Sequence, residues 1–352
     1  MKPRNDLALM EGYHSPQLDV KVRLNTNESP YPPPAAWLDA YLDELRTLDY
    51  HRYPDRGAHE LRVAIGELHG FGPDHVFVAN GSNEVLQSLC LAYGGAGRTV
   101  AVFEPTYPLH SHIARITGTG VAVGQRNDDY SLDRGEVERV LRDASPAITF
   151  LCSPNNPTGM VEAHDAVQGV LAAAPGLVVV DEAYGQFAPR SYVNDVSDDV
   201  QGHLVVARTF SKTWSLAALR LGYCIASSEV VHTLEQVALP YHLDAAKQVA
   251  GRVALRFVAE MEARVASLVE ERGRLTAALA ALPVEVWPSG ANFILFRPQP
   301  VDGAAVWQGL VDRSVLVRNC ASWPGLDGCL RATVGTPDEN DAFIKALNEV
   351  LS

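Results

Sequence analysis

Residues 209–223, TFSKTWSLAALRLGY, hold a lysine and an arginine in a largely apolar stretch. A lysine amine can condense with an aldehyde, and a guanidinium binds phosphate through parallel N–H groups. Thr209 and Ser211 place hydroxyls beside Lys212, and Arg220 follows within the apolar run. Because a lone lysine is usually a surface residue, this segment indicates chemistry only if other parts of the chain supply matching groups.

Four further polar motifs follow short apolar runs that are typical of buried strands. In open parallel sheets, ligands bind at the carboxyl ends of the strands. The motif NGSNE (80–84), with Ser82 and Asn83, offers the free N–H groups of a helix start, which suit a phosphate. The other motifs supply an aromatic ring, an amide, a carboxylate and a phenol, from Tyr107, Asn156, Asp181 and Tyr184. Taken singly, each also fits a helix cap, a turn or a core position.

Together, these groups match one ligand, pyridoxal 5'-phosphate (PLP). Its phosphate needs N–H groups, hydroxyls and a guanidinium, and its aldehyde needs a lysine amine. Its pyridine nitrogen needs a carboxylate to stay protonated. Asp181 ends a strongly apolar strand, where a carboxylate is costly unless it meets a cation or a strong donor. The combination predicts a PLP site with Lys212 as the reactive amine.

Hydrophobic patterning predicts the elements that must hold these groups. Six apolar runs between residues 75 and 227 mostly alternate with helical stretches, which predicts a largely parallel sheet with helices on both faces, an α/β fold. The short gap between Phe210 and Leu221 indicates an antiparallel or irregular neighbour. Later helical and strand-like runs predict a smaller α+β domain. The expected division is an N-terminal arm belonging to the small domain (1–40), a large PLP-binding domain (41–240) and a small C-terminal domain (241–352).

Composition excludes several classes of function. The net charge of -13 argues against general nucleic-acid binding, which rests on clustered Lys and Arg. Five cysteines without a CxxC pair indicate reduced thiols, with no disulfide framework and no zinc site. No apolar run approaches the ~20 residues of a membrane span, and the N-terminal residues MKPRNDLALMEGYHSPQ contain no apolar signal core. We therefore expect a soluble, cytoplasmic protein with no membrane partner and no metal.

The order of the motifs resembles that of fold-type I PLP-dependent aminotransferases, and within them the histidinol-phosphate aminotransferase family. The resemblance covers nearly the whole chain. It rests on these motifs in family order: LNTNESPYPPP (24–34), HRYPD (51–55), NGSNE, PTYP, CSPNNPTG, DEAY, SKxxxxxxxRLG and GCLRATVGT (328–336). It implies an aspartate-aminotransferase-like fold with a large PLP-binding domain and a smaller α+β domain, and a homodimer whose active sites are shared across the interface.

The resemblance also implies a role for each matching residue. Lys212 would form the Schiff base and move the proton at the substrate α-carbon, and Asp181 would pair with the pyridine nitrogen. Asn156 and Tyr184 would contact the ring oxygen, and Tyr107 would stack on the ring. Five residues of the same subunit would surround the phosphate: Ser82, Asn83, Thr209, Ser211 and Arg220. Tyr53 would reach it from the partner subunit. The expected substrate residues are Arg331 at the α-carboxylate, with Arg318, Tyr13 and Asn27.

The expected reaction is histidinol-phosphate transamination in histidine biosynthesis, which converts histidinol phosphate and 2-oxoglutarate to imidazole-acetol phosphate and glutamate. Alternatives are an aromatic amino-acid aminotransferase, a PLP lyase such as a threonine-phosphate decarboxylase, and a PLP-binding regulator. A nucleotide-binding protein is disfavoured because no GxGxxG or GxxxxGK[ST] follows a strand. Several residues depart from the family pattern and leave the substrate open: Asn83 and Gln186 stand where acidic residues are common, and Cys320 and Trp323 are atypical.

Overall fold

A computed structural model describes residues 17–197 and 199–352 of the chain. The helices are α1 Ala35–Arg46, α2 His59–His69, α3 Ser82–Tyr93, α4 Leu109–Ile116, α5 Arg134–Ala144, α6 His164–Ala173, α7 Ser228–Val237, α8 Ala245–Ala254, α9 Val258–Ala280, α10 Gly303–Asp312 and α11 Pro337–Leu351. The strands are β1 Val22–Leu24, β2 Val76–Ala79, β3 Thr99–Glu104, β4 Gly120–Gln125, β5 Ile148–Cys152, β6 Leu177–Asp181, β7 Leu204–Thr209, β8 Gly222–Ile225, β9 Val284–Val286, β10 Phe293–Pro298, β11 Val315–Asn319 and β12 Leu330–Thr333. Tyr13 lies outside the described residues.

A seven-stranded sheet in the order β2-β8-β7-β6-β5-β3-β4 forms the centre of the larger part of the molecule. Strands β4, β3, β5, β6 and β7 run parallel, whereas β8 is antiparallel to both β2 and β7. The antiparallel strand lies after the short gap that ends at Leu221, as that gap predicted. Strand β4 was not predicted, because its residues are only partly buried at the sheet edge and its pattern is less apolar.

Alternating side chains of the central strands enter two separate cores, because successive residues of a strand point to opposite faces. On β6, Val178 and Val180 pack into one core, and Val179 packs into the other. Helices cover both faces, so every residue of β5, β6 and β7 is buried. The predicted α/β class with a mostly parallel, helix-covered sheet is confirmed.

A second sheet of five strands, β1-β11-β12-β10-β9, has its own core against α9, α10 and α11. The N-terminal strand β1 pairs in parallel with β11, and the other pairs are antiparallel. The helical stretch predicted over 244–282 consists of α8 and α9 joined by a 3-10 turn. The division of the chain at residues 40 and 240 stays a prediction.

Three further observations concern expectations from composition. All five cysteines are free and buried. Within residues 17–197 and 199–352, no group of His, Cys, Asp and Glu side chains has the arrangement of a metal site. No helix in that part of the chain is long and apolar enough to cross a bilayer.

Candidate active site

The carboxyl ends of the parallel strands open into a cavity of about 370 Å³, within the range of ~300–1,000 Å³ usual for ligand pockets. Asp181 is the last residue of β6 and Thr209 the last of β7. Helix α3 begins at Ser82, close after the end of β2. Twelve of the residues predicted from the sequence line this one cavity: Asn27, Ser82, Asn83, Tyr107, Asn156, Asp181, Tyr184, Thr209, Ser211, Lys212, Arg220 and Arg331.

Two predicted residues in the described part of the chain, Tyr53 and Arg318, are not among the side chains that line the cavity. Tyr53 is 80% exposed and stacks on Tyr241, with ring centroids 4.5 Å apart. Arg318 lies over the ring of Trp323, 5.1 Å from its centroid, and Trp323 itself lines the cavity. Tyr13, outside the described residues, stays a prediction.

The Lys212 amine is held within the cavity by a bond to the N-terminal segment. Its Nζ donates to the backbone carbonyl of Thr26 at 2.9 Å. Burial, followed by the cation of Arg331, lowers the pKa of Lys212 to about 7, with a smaller contribution from Arg220. A much larger fraction of this amine is therefore unprotonated and nucleophilic at neutral pH than for an ordinary lysine, which is almost fully protonated.

A turn between β2 and α3 and the loop after β7 form a cradle of hydrogen-bond donors. The first N–H groups of α3 lack acceptors within the helix, and Gly81 before it has φ +83°. A Cβ at Gly81 would lie 2.9 Å from Arg220 Nη2, so glycine lets the guanidinium approach the turn. Ser211 Oγ accepts from Thr209 Oγ1 at 3.0 Å and from Arg220 Nη1 at 3.2 Å. The cradle concentrates cationic and neutral donors suited to a phosphate.

The carboxylate of Asp181 has a buried partner that the sequence did not indicate. His110 Nε2 lies 3.2 Å from Asp181 Oδ2, and both side chains are almost fully buried. The His110 ring stacks on Phe150, with centroids 4.9 Å apart and an angle of 11°. The other oxygen, Oδ1, accepts the N–H of Ala183 at 3.0 Å. These contacts fix the carboxylate at the cavity wall. The only sequence signal was the position of His110, three residues after Tyr107 on the start of α4.

The side chains of Asn156, Tyr184 and Arg331 meet beside the amine. Arg331 Nη1 donates to Asn156 Oδ1, and Arg331 Nη2 donates to the carbonyl of Asn25 at 2.9 Å. Since Asn156 Oδ1 accepts from Arg331, its Nδ2 remains a donor. Tyr184 Oη accepts from Asn27 Nδ2 at 2.9 Å, and burial raises the pKa of Tyr184, so the phenol stays protonated. The wall therefore presents two neutral donors.

The loop at 320–329 was noted in the sequence only as atypical, and it forms the wall beside Arg331. Backbone N–H groups of Trp323, Leu326 and Cys329 donate to carbonyls three residues earlier, at 2.9, 3.2 and 2.9 Å. Cys320 N–H donates back to the carbonyl of Cys329 at 2.9 Å, which closes the loop. Within this loop, the side chains of Cys320, Leu326 and Cys329 are fully buried. The loop is thus internally braced and holds Trp323 against the cavity.

The donors and acceptors of this cavity fit PLP. The cradle of Ser82, Ser211 and Arg220 suits its phosphate, and Asp181 suits its ring nitrogen. Asn156 and Tyr184 supply donors for its ring oxygen, and the low pKa of Lys212 suits attack on its aldehyde. The missing Cβ at Gly81 leaves room for the guanidinium at the phosphate end.

The family model described as "Aminotransferase class I and II" matches residues 19–347. The chain belongs to this family of aminotransferases, as the motif order predicted. It is 41% identical to the histidinol-phosphate aminotransferase of Mycobacterium marinum over 97% of this chain and 91% of that protein. It is 41% identical to the enzyme of the same name from Corynebacterium glutamicum, over 99% and 96%.

The fold is also that of solved aminotransferases. Histidinol-phosphate aminotransferase from Sinorhizobium meliloti, solved in complex with pyridoxal-5'-phosphate, has a TM-score of 0.85 to this chain, at 22% identity over 94% of this chain and 91% of that one. At that identity the likeness bears on the fold, and it agrees with the predicted fold type I.

Proposed function

We propose that the protein is a PLP-dependent aminotransferase that exchanges amino groups between histidinol phosphate and 2-oxoglutarate, giving imidazole-acetol phosphate and glutamate, in histidine biosynthesis. The observation that carries the proposal is the Lys212 amine, with its pKa lowered to about 7, in one cavity with Asp181 and the phosphate cradle. The name shared by relatives at 41% identity over nearly the whole chain supports the substrate.

Each residue around the Lys212 amine has its own proposed role in the reaction. When bound, PLP supplies the electron sink that makes the substrate α-carbon acidic. Asp181 would keep the ring nitrogen protonated, and Tyr107 would pack on the ring. Lys212 would move the proton at the substrate α-carbon, since its lowered pKa lets the amine accept a proton near neutral pH. Asn156 and Tyr184 would hold the ring oxygen, and the cradle with Thr209 and Asn83 would anchor the phosphate.

Cationic side chains support binding of substrates with anionic groups. Arg331 is 5% exposed in the cavity wall, where its guanidinium suits the α-carboxylate of glutamate. Histidinol phosphate has no α-carboxylate, so in that half-reaction Arg331 and Arg318 serve its phosphate. Asn27 lies in the same wall. Tyr13 belongs to this substrate set by the family resemblance.

We further propose a homodimer in which Tyr53 of one subunit reaches the phosphate cradle of the other. In the single chain, Tyr53 is exposed and braced by the ring of Tyr241 at 4.5 Å. Exposed apolar side chains lie on α1 and in the same two segments as Tyr53 and Tyr241: Leu38, Leu42, Tyr50 and Leu239. Exposed apolar groups of this kind commonly mark protein interfaces. A cytoplasmic location is also part of the proposal, because five free thiols fit a reducing compartment.

Paired half-reactions test the substrate. The purified protein is loaded with PLP, and conversion to the pyridoxamine form is followed by absorbance with histidinol phosphate or with phenylalanine. We expect histidinol phosphate to react with a much higher second-order rate constant than phenylalanine. Faster reaction with phenylalanine would make the aromatic aminotransferase the better assignment, and release of CO₂ would favour the lyase.

A second experiment tests the reactive amine. Borohydride reduction of the loaded protein, followed by peptide mass spectrometry, is expected to leave the cofactor on Lys212. Lys212→Ala should abolish that attachment. Lys247→Ala is the matched control, because Lys247 Nζ also lies near the β2–α3 turn, 2.8 Å from Asn80 Oδ1, yet it does not line the cavity. Attachment that survives in Lys212→Ala overturns the assignment.

A further inference from the structure

Asn27 occupies an unusual position between the two sheets. Its backbone has φ +55°, in the left-handed region that residues other than glycine rarely adopt. Asn27 is 1% exposed. Its backbone N–H donates to Thr333 Oγ1 at 3.0 Å, and its carbonyl accepts from Asn292 Nδ2 at 3.2 Å. Strand β12 of the smaller sheet therefore holds Asn27 in place, while its side chain reaches Tyr184 after β6 of the larger one.

The hydrogen-bond network determines which way the Asn27 amide faces. Thr333 Oγ1 accepts the backbone N–H of Asn27, and 3.1 Å separates Thr333 Oγ1 from Asn27 Oδ1. Thr333 is 3% exposed, and its hydroxyl proton has no other acceptor within residues 17–197 and 199–352. If the amide were turned over, that buried proton would be unsatisfied, which is costly. The proton of Thr333 therefore goes to Asn27 Oδ1, and Nδ2 faces Tyr184.

We propose that Asn27 and Thr333 are positioning residues that orient the Tyr184 hydroxyl as a donor into the cavity. Because Asn27 Nδ2 donates to Tyr184 Oη at 2.9 Å, the phenol uses a lone pair toward Asn27. Its own proton then points away from Asn27. The chain of donors runs from Asn27 N–H to Thr333, from Thr333 to Asn27 Oδ1, and from Asn27 Nδ2 to Tyr184.

This inference rests on the proposed function, because the acceptor of that proton would be the ring oxygen of bound PLP. A hydrogen bond to the ionised form of a group favours the ionised form. Tyr184 oriented as a donor would stabilise that oxygen as an anion, and would so weaken proton binding at the neighbouring nitrogen of the Lys212 linkage. Loss of the orientation should raise the pH at which the visible absorbance band of the loaded protein changes.

The charged or titratable groups that face Tyr184 come from several elements. Arg331 lies on β12, Asp181 and Cys152 end β6 and β5, and the Lys212 Nζ is 5.9 Å from the Tyr184 ring centroid. The ring also meets Phe293 edge-on, with centroids 5.0 Å apart. Substitutions at Asn27 and Thr333 leave all of these groups in the chain.

The test is a pH titration of the visible band in PLP-loaded variants. Asn27→Ala is expected to raise the pKa of the band by about 1, and Asn27→Asp to raise it at least as far, since a carboxylate would take the proton of Tyr184. Thr333→Val should raise it by less, because the amide is then free to turn over. The matched control is Thr333→Ser, which keeps the hydroxyl and should titrate as the natural protein does.

A double-mutant comparison separates orientation of Tyr184 from a general structural effect. In a Tyr184→Phe background, Asn27→Ala should cause no further change in the pKa of the band, because its effect passes through the hydroxyl. A band pKa unchanged in Asn27→Ala, or an equal change in the Tyr184→Phe background, overturns the inference. An unsubstituted protein that gains no visible band with PLP instead overturns the proposed function.

Discussion

Arg318 and Arg331 occupy directly opposed positions on the antiparallel strands β11 and β12. Like charges opposite one another destabilise a strand pair, so each guanidinium is held by other groups. Arg331 lies over the ring of Phe293 at 5.1 Å, and Arg318 over that of Trp323 at the same distance. An anion bound close to both guanidinium groups would reduce the repulsion between them.

Trp323→Ala should weaken binding of the phosphorylated substrate. A cation–π contact contributes ~0.5–2 kcal/mol, so we expect KM for histidinol phosphate to rise about 2- to 30-fold, with a smaller change in kcat. Trp287→Ala is the control, because Trp287 lies under Arg297 at 5.2 Å but does not line the cavity. Equal increases in KM for the two variants would contradict a specific role of Trp323.

His110→Phe should weaken cofactor binding. The substitution keeps a flat ring against Phe150 but removes the hydrogen bond to Asp181, and hydrogen bonds to charged groups contribute ~1.5–3 kcal/mol. We expect the dissociation constant of PLP to rise about 10- to 160-fold. His164 and Asp195 form a matched pair that does not line the cavity, with His164 Nε2 also 3.2 Å from Asp195 Oδ2. His164→Phe should therefore leave PLP binding unchanged, and a loss there would point to general destabilisation.

Much of the site could be predicted because its residues lie at the ends of short, wholly apolar strands. Asp181 is the one carboxylate that completes LVVVD of β6, and Lys212 follows β7 after a turn. His110 and Trp323 could not be predicted in the same way. Whether His110 reaches Asp181 depends on how α4 packs over the sheet, and the place of Trp323 depends on the turns of its loop.

The link between Asn27 and Tyr184 was also beyond the sequence. The family resemblance predicts that Asn27 contacts substrate, and that role stays a prediction. Its contacts with Thr333 and Asn292 join positions far apart in the chain, which local patterning does not reveal. Strand β4 is a similar case at the sheet edge, where partial burial weakens the apolar pattern.

Gly81→Ala should separate a cavity effect from backbone strain. Gly81 has φ +83° and Gly95 has φ +102°, so alanine at either should cost ~1–2 kcal/mol of stability. Only at Gly81 does the new Cβ crowd Arg220, whereas nothing lies within 4 Å at Gly95. We expect reduced PLP affinity in Gly81→Ala alone, measured by equilibrium binding beside thermal unfolding. Weaker binding in both variants would assign the effect to strain.

The reactivity of Lys212 should depend on charge in two opposite directions. The rate of PLP attachment to the cofactor-free protein should rise with pH around a midpoint near 7, since only the unprotonated amine attacks. Arg331 lowers the pKa of Lys212 and Glu28 raises it. Arg331→Gln should therefore move the midpoint up and Glu28→Gln should move it down, as followed by absorbance. Movement in the same direction for both variants would rule out this electrostatic control.

His69 should make the protein less stable in acid. Burial, followed by the cation of Arg208, lowers the pKa of His69 to about 3, against ~6.5 in the unfolded chain. Between these values the unfolded state binds the extra proton, so stability is present above ~6.5 and falls as pH drops toward 3. His69→Gln should flatten this dependence in urea unfolding by less than the limit of ~1.4 kcal/mol per pH unit. His51→Gln, at an exposed site, should not.

Strand β2 pairs only with β8 among the described strands, and β1 only with β11. During synthesis, the β2–α3 turn leaves the ribosome long before Gly222. Strand β8, which begins at Gly222, is the strand that joins β2 to β7. The segment around β1 and Asn27 is translated earlier still, yet its partners are β11, which begins at Val315, and Thr333. The cavity wall that includes Trp323 and Arg331 can therefore form only after nearly all of the sequence has been translated.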